Sequence, residues 1–229
     1  ALVKGDFAKA VYSYLSEGGK GERDDVREAR EKVKEGNLKE ALTLFPKVFS
    51  YERRMIEKLL KGKDYVKCLR TMPIYLRKLF VHAYQSFIFN GILSERLREK
   101  TMKEPLNGDR ILPYEDGKFG NRPIKMVEVN DTVFKRVESC DAYIMGLIPG
   151  YESELREGVE SKILDEEGVK PEDFVIPEMP ECSAKGTLRT LLAPVKEVDY
   201  DFNDERVLLN FFLFKGCYAT SFLREIMKN

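Results

Sequence analysis

The sequence predicts an α+β protein, mostly helical with small β elements and closed by one strand and one helix. Three features of the 229 residues point that way. Apolar residues recur at three-and-four spacing as far as Lys100, the period of helices with one buried face. Between Pro105 and Pro123 the chain is punctuated by Asn107-Gly108, Asp116-Gly117 and Gly120, which leaves room only for short extended pieces such as Arg110–Leu112. Near the end, VLLNFFLF (Val207–Phe214) is almost wholly apolar and precedes a short amphipathic stretch.

Asp6 is placed to cap a first helix over FAKAVYSYLSEG, stopped by Gly18-Gly19. Gly18–Glu22 (GGKGE) lacks the spacing of a phosphate-binding loop and reads as a turn. Helices follow over Asp24–Lys34, Leu38–Leu44, Tyr51–Lys61 and Asp64–Arg70, separated by Gly36-Asn37, Pro46 and Gly62. The chain is organised around Pro73–Arg98. Pro73 suits a first helical turn, and Arg96 and Arg98 carry the sign that the dipole favours at the far end. Leu76, Leu79, Phe80, Ala83, Phe87 and Leu93 form one apolar stripe, with Tyr84, Ile88 and Ile92 beside it, so burial on several sides is expected. His82, Gln85, Ser86 and Asn90 lie inside that band and need partners, since an unpaired buried polar group costs about 1–3 kcal/mol. His82 reads as structural.

Ile124–Val129 and Thr132–Val137 have the β-branched character of strands, with Asn130-Asp131 as the turn between them. Ala142–Leu147 is a further apolar piece, Ser153–Glu167 an acidic helix stopped by Gly168, and Leu188–Leu192 a strand. Val207–Phe214 is expected at a sheet centre, buried on both faces. Thr220 or Ser221 is expected to cap the closing helix, FLREIMK.

Lys plus Arg and Asp plus Glu both number 39, so the net charge is zero. That average hides a polarity. Lys47–Lys78 holds ten Lys/Arg against three acids, a local +7, while Tyr151–Glu181 holds eleven acids against three bases, a local −8. Such asymmetry fits either a region that meets a polyanion or solvated faces that pair within the fold. Four scattered cysteines without a C-x-x-C pair, and a single histidine, speak against a zinc site or a disulfide framework. No apolar run reaches the ~20 residues that cross a bilayer, and no signal segment is visible, so a soluble cytoplasmic protein is expected. The start, Ala-Leu-Val without an initiator Met, looks cut from something longer. The 34% of charged residues, with one Gln and no Trp, resembles hyperthermophile composition.

Four blocks run in order: ALTLFPKVFSYERRMIEKLLKGKDY, LFVHAYQSFIFNGILSERL, PGYESELREG with ILDEEGV and DF, and KGCYATSFLREIMK. Together they resemble the tRNA pseudouridine synthase D (TruD) family, most closely its archaeal branch, from end to end of the chain. The resemblance implies isomerisation of uridine to pseudouridine in tRNA, at position 13 in the family's best-known substrate. It also implies a mainly antiparallel mixed-sheet synthase domain and a family-specific inserted domain. Residues 1–193 then look like the insertion, and 194–229 like the C-terminal piece of the synthase domain. The family's nucleophilic aspartate lies in Gly-x-Lys-Asp-x-x-Ala, upstream of Asn-Tyr-Phe-Gly, and neither motif occurs here. Lys63-Asp64 sits in a different block, so Asp64 reads as a helix-start residue. The chain is expected to be the C-terminal portion of the enzyme, inactive alone.

The chemistry implied by the resemblance needs no redox or metal cofactor. It needs a platform for a uracil taken out of its stack, and a cation to hold a buried carboxylate ionised. Tyr218 matches the family's aromatic site position; a satisfied core tyrosine is the alternative. Arg189 and Arg224 are candidates for the cation, against ordinary surface pairing. Arg53, Arg54, Arg77 and Lys78 are the expected phosphate contacts, which position RNA without reading its sequence. A non-catalytic RNA-binding or protein-interaction module remains the alternative function.

Overall fold

The structure, a computed structural model, describes residues 1–126, 128–203 and 205–228. The chain divides into two compact units. The first comprises Ala1–Ile88, Pro149–Glu154 and Ile163–Thr187; the second comprises Phe89–Ile148, Leu155–Lys162 and the chain from Leu188 onward.

The first unit is helical: α1 (Phe7–Ser16), α2 (Asp24–Lys34), α3 (Leu38–Leu44), α4 (Ser50–Lys61), α5 (Tyr65–Leu69) and the first half of α6 (Ile74–Arg98). Local chemistry starts three of these helices. Asp6, Asn37 and Asp64 each accept a hydrogen bond from the backbone amide three residues on, which satisfies an N–H left orphaned by the helix start. Asp64 thus does what its position in the sequence suggested, and the Lys67 amide and ammonium hold its carboxyl below the ordinary range. Leu15, Phe45, Met55, Ile56 and Leu69 are fully buried, each contributing about 1.5–3 kcal/mol through removal from water. Among them Arg30 donates to the Tyr14 and Leu15 carbonyls that end α1 and pairs with Glu22.

The Pro149–Glu154 turn closes against Ala184–Gly186. The Tyr151 amide donates to the Ala184 carbonyl (2.9 Å) and the Glu152 amide to that of Lys185 (3.0 Å). Gly150 makes this approach possible, because a Cβ there would lie 2.0 Å from the Gly186 nitrogen. Gln85 reaches into this turn and donates to the Pro149 carbonyl, supplying the partner that a buried amide requires.

A second tie joins α6 to the short 3-10 turn Pro180–Cys182. Glu181 accepts from Arg77 and Arg70. Burial pushes the Glu181 carboxyl up, but its own backbone amide and the two guanidiniums outweigh that and bring it to about 2. A depressed carboxylate gives stability that is present above its unfolded value of roughly 4.3 and is lost as pH falls toward 2. Glu181→Gln is therefore expected to lower the unfolding midpoint at pH 7 and to leave it nearly unchanged at pH 2. Denaturation at both pH values measures this, and an equal loss at both would exclude the linkage.

The second unit is built on a sheet of order β2-β1-β4-β5, with β3 paired to β1. Its strands are β1 (Arg110–Glu115), β2 (Lys118–Phe119), β3 (Ile124–Lys125), β4 (Ala142–Ile148) and β5 (Thr187–Thr190). Every residue of β4 is buried. Phe89, Ile111, Ile144 and Leu191 pack with Val133 and Val137 of α7 (Asp131–Glu138) into one core. A separate antiparallel hairpin, β6 (Val195–Phe202) and β7 (Val207–Leu213), leads to α9 (Ala219–Met227). Phe214 anchors the hairpin on the β1–β2 end, its ring 4.7 Å from that of Phe119.

The α+β class holds, while several elements differ from expectation. Thr132–Val137 is helical: Asn130 caps α7 by accepting from the Val133 amide (3.0 Å), and Val133 and Val137 bury at i,i+4. Packing outweighs the β propensity of these residues. Of the expected strand Ile124–Val129 only β3 forms, and Val127 lies outside the described residues. The acidic helix shortens to α8 (Val159–Glu166), because Gly158 takes φ +98°, in the left-handed region. The central helix α6 is buried on one side only: Gln85, Ile88, Ile92 and Arg96 face inward, whereas Tyr75, Leu79, His82, Phe87 and Leu97 are exposed. His82 is thus not inside the apolar face. β7 is not buried on both faces either; Val207, Leu208 and Phe212 are exposed in the hairpin. The closing helix starts earlier than expected, with Tyr218 at the N-cap and Thr220 and Ser221 inside the first turn. Among the described residues no helix is long and apolar enough to cross a membrane.

Candidate functional site

The second unit contains a cleft of about 640 Å³. One wall is the latter half of α6, which presents Phe89, Asn90, Leu93 and Leu97 at helical spacing. The floor is Arg189–Ala193, leading out of β5. The Leu191 amide donates to the Ile144 carbonyl of β4 (2.9 Å), which fixes that segment. Gly146 lets the parts close up, since a Cβ there would lie 2.6 Å from Leu191 and 2.9 Å from Phe89. The far wall is α9, whose Tyr218, Ser221, Phe222 and Glu225 recur at i, i+3, i+4 and i+7 and so share one helix face. The Phe222 ring packs edge-on against Phe211 of β7 at 4.8 Å, holding that face in place.

Arg189 joins the two walls. Its guanidinium carbon lies 5.5 Å from the Phe89 ring centroid and 5.5 Å from that of Tyr218, within cation–π range of both. Tyr218 nonetheless keeps 59% of its surface exposed. A ring steadied on one side by a cation and open elsewhere can receive a planar, apolar-faced group. Cys217, next along the chain, is no nucleophile candidate. Burial pushes its thiol up despite the lowering by Arg189, so it stays protonated near neutral pH.

The structure therefore brings Tyr218 and Arg189 together. Arg224 is exposed on α9 and does not line the cleft. The expected phosphate contacts separate into two groups. Arg53 donates to the Leu42 and Phe45 carbonyls at the end of α3. Arg77 is buried and donates to the Met72 carbonyl and to Glu181. Arg54 and Lys78 are exposed, and the Arg54 guanidinium lies 5.1 Å over the Tyr51 ring. Phe89 and Glu225 are cleft residues that the sequence reading did not single out, and Asn90, expected inside the apolar band, is instead exposed on the cleft wall. Asn90 lay in the quoted block LFVHAYQSFIFNGILSERL, where it read as a buried amide rather than a cleft group.

An α+β fold with an aromatic–arginine cleft beside its C-terminal helix defines a protein equipped to hold a planar ring. Comparisons with known proteins specify it further. The tRNA pseudouridine synthase D (TruD) family matches residues 1–226. A protein of Thermococcus sibiricus described as a probable tRNA pseudouridine synthase D is 34% identical over 100% of this chain and 56% of its own length. Its counterpart in Methanopyrus kandleri is 36% identical over 99% of this chain and 52% of its own. The crystal structure of the Methanosarcina mazei protein assigned as TruD superposes with a TM-score of 0.87 at 31% identity, covering 100% of this chain and 56% of that one. The chain belongs to the tRNA pseudouridine synthase D family, and it spans about half the length of the relatives it matches.

Proposed function

We propose that the protein carrying this chain converts uridine to pseudouridine in tRNA, at position 13, in the cytoplasm. The reaction breaks the N1–C1′ bond, forms C5–C1′, transfers a proton to N1 and releases the C5 proton. The product is an isomer, so its electron balance needs no redox partner. Residues 1–193 are read as the inserted domain and 194–229 as the C-terminal piece of the synthase domain. The nucleophilic aspartate is read as coming from outside these 229 residues, which hold no Gly-x-Lys-Asp-x-x-Ala.

The observation that supports this reading best is the Arg189–Tyr218 pair in the cleft. Tyr218 offers a ring face to the flipped uracil. Arg189 supplies a positive charge beside it, able to keep a nearby carboxylate ionised and so nucleophilic. Arg224, on the exposed face of α9, is the weaker candidate for that charge. Arg54 and Lys78 are read as phosphate contacts that orient the tRNA.

The test is release of tritium from a tRNA transcript carrying 5-tritiated uridine at position 13 alone, incubated with the natural full-length protein. Stoichiometric release to water is expected. Release only from other labelled uridines would overturn the position, and none from any uridine would overturn the activity.

A further inference from the structure

A second aromatic surface lies in the first unit, apart from the cleft. Tyr75, in the first turn of α6, has 67% of its surface exposed. The Tyr51 phenol on α4 lies within interaction range of the Tyr75 phenol and pushes it up. The Arg54 guanidinium in turn lies over the Tyr51 ring. The Tyr75 ring itself stays open to solvent. Lys78 follows on the same side of α6, three residues on, and is exposed.

The charge on this face is positive. Among the described residues neither Arg54 nor Lys78 pairs with a carboxylate; Arg54 donates only to the Ser50 carbonyl (3.0 Å). Of the two acids on α4, Glu52 is buried, and burial together with the nearby Glu52 charge pushes the Tyr14 phenol up. The exposed charges of α4 are Arg54, Glu57, Lys58 and Lys61, a net +2 to which Lys78 adds. An exposed aromatic among unpaired cations is the pattern that binds unpaired nucleic acid. Bases stack on the ring whatever their identity, and the cations follow the phosphates. A partner protein helix would be expected to need a dry apolar groove instead.

We propose that Tyr51, Arg54, Tyr75 and Lys78 form a stacking site for one unpaired base of the RNA substrate, away from the base that reacts. This rests on the reading of RNA as the substrate. The site takes a ring on the open face of Tyr75 and the flanking phosphates on Arg54 and Lys78. It grips the RNA without reading its sequence, since every base has a stacking face.

The test measures binding of a tRNA transcript by the natural full-length protein at several salt concentrations. Tyr75→Ala is expected to weaken binding about tenfold with the salt slope unchanged. Lys78→Ala is expected to lower the slope by roughly 0.7–0.9, one phosphate contact. Tyr75→Trp is expected to restore affinity. Because these 229 residues contain no tryptophan, its fluorescence, taken as the difference from wild type, is expected to be quenched by tRNA. If wild-type protein binds tRNA and Tyr75→Ala binds it equally well, the stacking site is overturned and the substrate reading stands. If wild-type protein does not bind tRNA, the substrate reading fails and the site with it. A Tyr75→Ala change that alters sedimentation but not RNA affinity assigns this face to a protein partner and also overturns the proposal.

Discussion

Tyr218→Ala in the full-length protein is expected to cut the rate of pseudouridine formation about 100-fold, the order of loss that follows when a reacting group is misplaced by an ångström or so. Its affinity for tRNA should change far less, because the substitution removes one ring and no phosphate contact. The split between rate and binding distinguishes a platform for the reacting base from a general RNA contact. Tyr218→Phe separates ring from hydroxyl. Retention of most activity assigns the role to the ring face, as its open position in the cleft implies; loss comparable to Ala would make the hydroxyl an acid or base. Single-turnover rates alongside binding constants measure both. A fall in affinity as large as the fall in rate would contradict the platform.

Asp109→Ala is expected to destabilise the second unit by about 3–5 kcal/mol, because it strips the counter-ion from two buried cations. Arg96, near the end of α6, meets Asp109 with two parallel hydrogen bonds of 2.8 and 2.9 Å, both side chains 3% exposed. Arg156 reaches the same carboxylate at 3.0 Å, and the Leu106 amide donates to it at 2.8 Å. The Nε of Arg156 is buried without a partner among the described residues, so this site already lacks one hydrogen bond. Removing the carboxylate leaves two guanidiniums facing each other out of water. Asp109→Asn keeps the shape and loses the charge, and should cost less. Adding Arg156→Met to Asp109→Ala should recover part of the loss, since one of the stranded charges goes with it. Urea denaturation of the four proteins measures this. Because Arg96 fixes the end of the helix that supplies Phe89 and Leu93 to the cleft, loss of this tie should also reduce activity.

What the sequence made legible follows from the range of the forces involved. Asp6, Asn37 and Asp64 act on amides three residues away, so their helix starts could be read directly. Asn130 uses the same chemistry, yet the β-branched residues after it pointed to a strand. Only the burial of Val133 and Val137 against β4 decides that segment. Arg96 looked like a dipole-complementing terminus and is instead half of a buried ion pair whose partner lies 13 residues on. The hairpin strand β6 went unread although Val198, Tyr200 and Phe202 alternate with Asp199 and Asp201, because Lys196-Glu197 breaks the period at the start of the strand, where its register shifts. The expectation of a doubly buried β7 then assumed a sheet that the described residues do not supply. For the site, the match to a family block singled out Tyr218. Its pairing with Arg189 spans 29 positions and needed the fold to bring it into view. Asn90 and Glu225 carry no signal beyond their polarity until α6 and α9 are set across the same cleft.

The central claim is that the uridine to be isomerised rests on Tyr218. A tRNA carrying 4-thiouridine at position 13, bound to the full-length protein and irradiated, links that base to the side chains it touches. Digestion at Lys and Arg places Tyr218 in the peptide Gly216–Arg224. The account predicts that the crosslinked base is found in this peptide, and that excess unlabelled tRNA abolishes the link. A base crosslinked only to other peptides, with Gly216–Arg224 recovered unmodified, would contradict it.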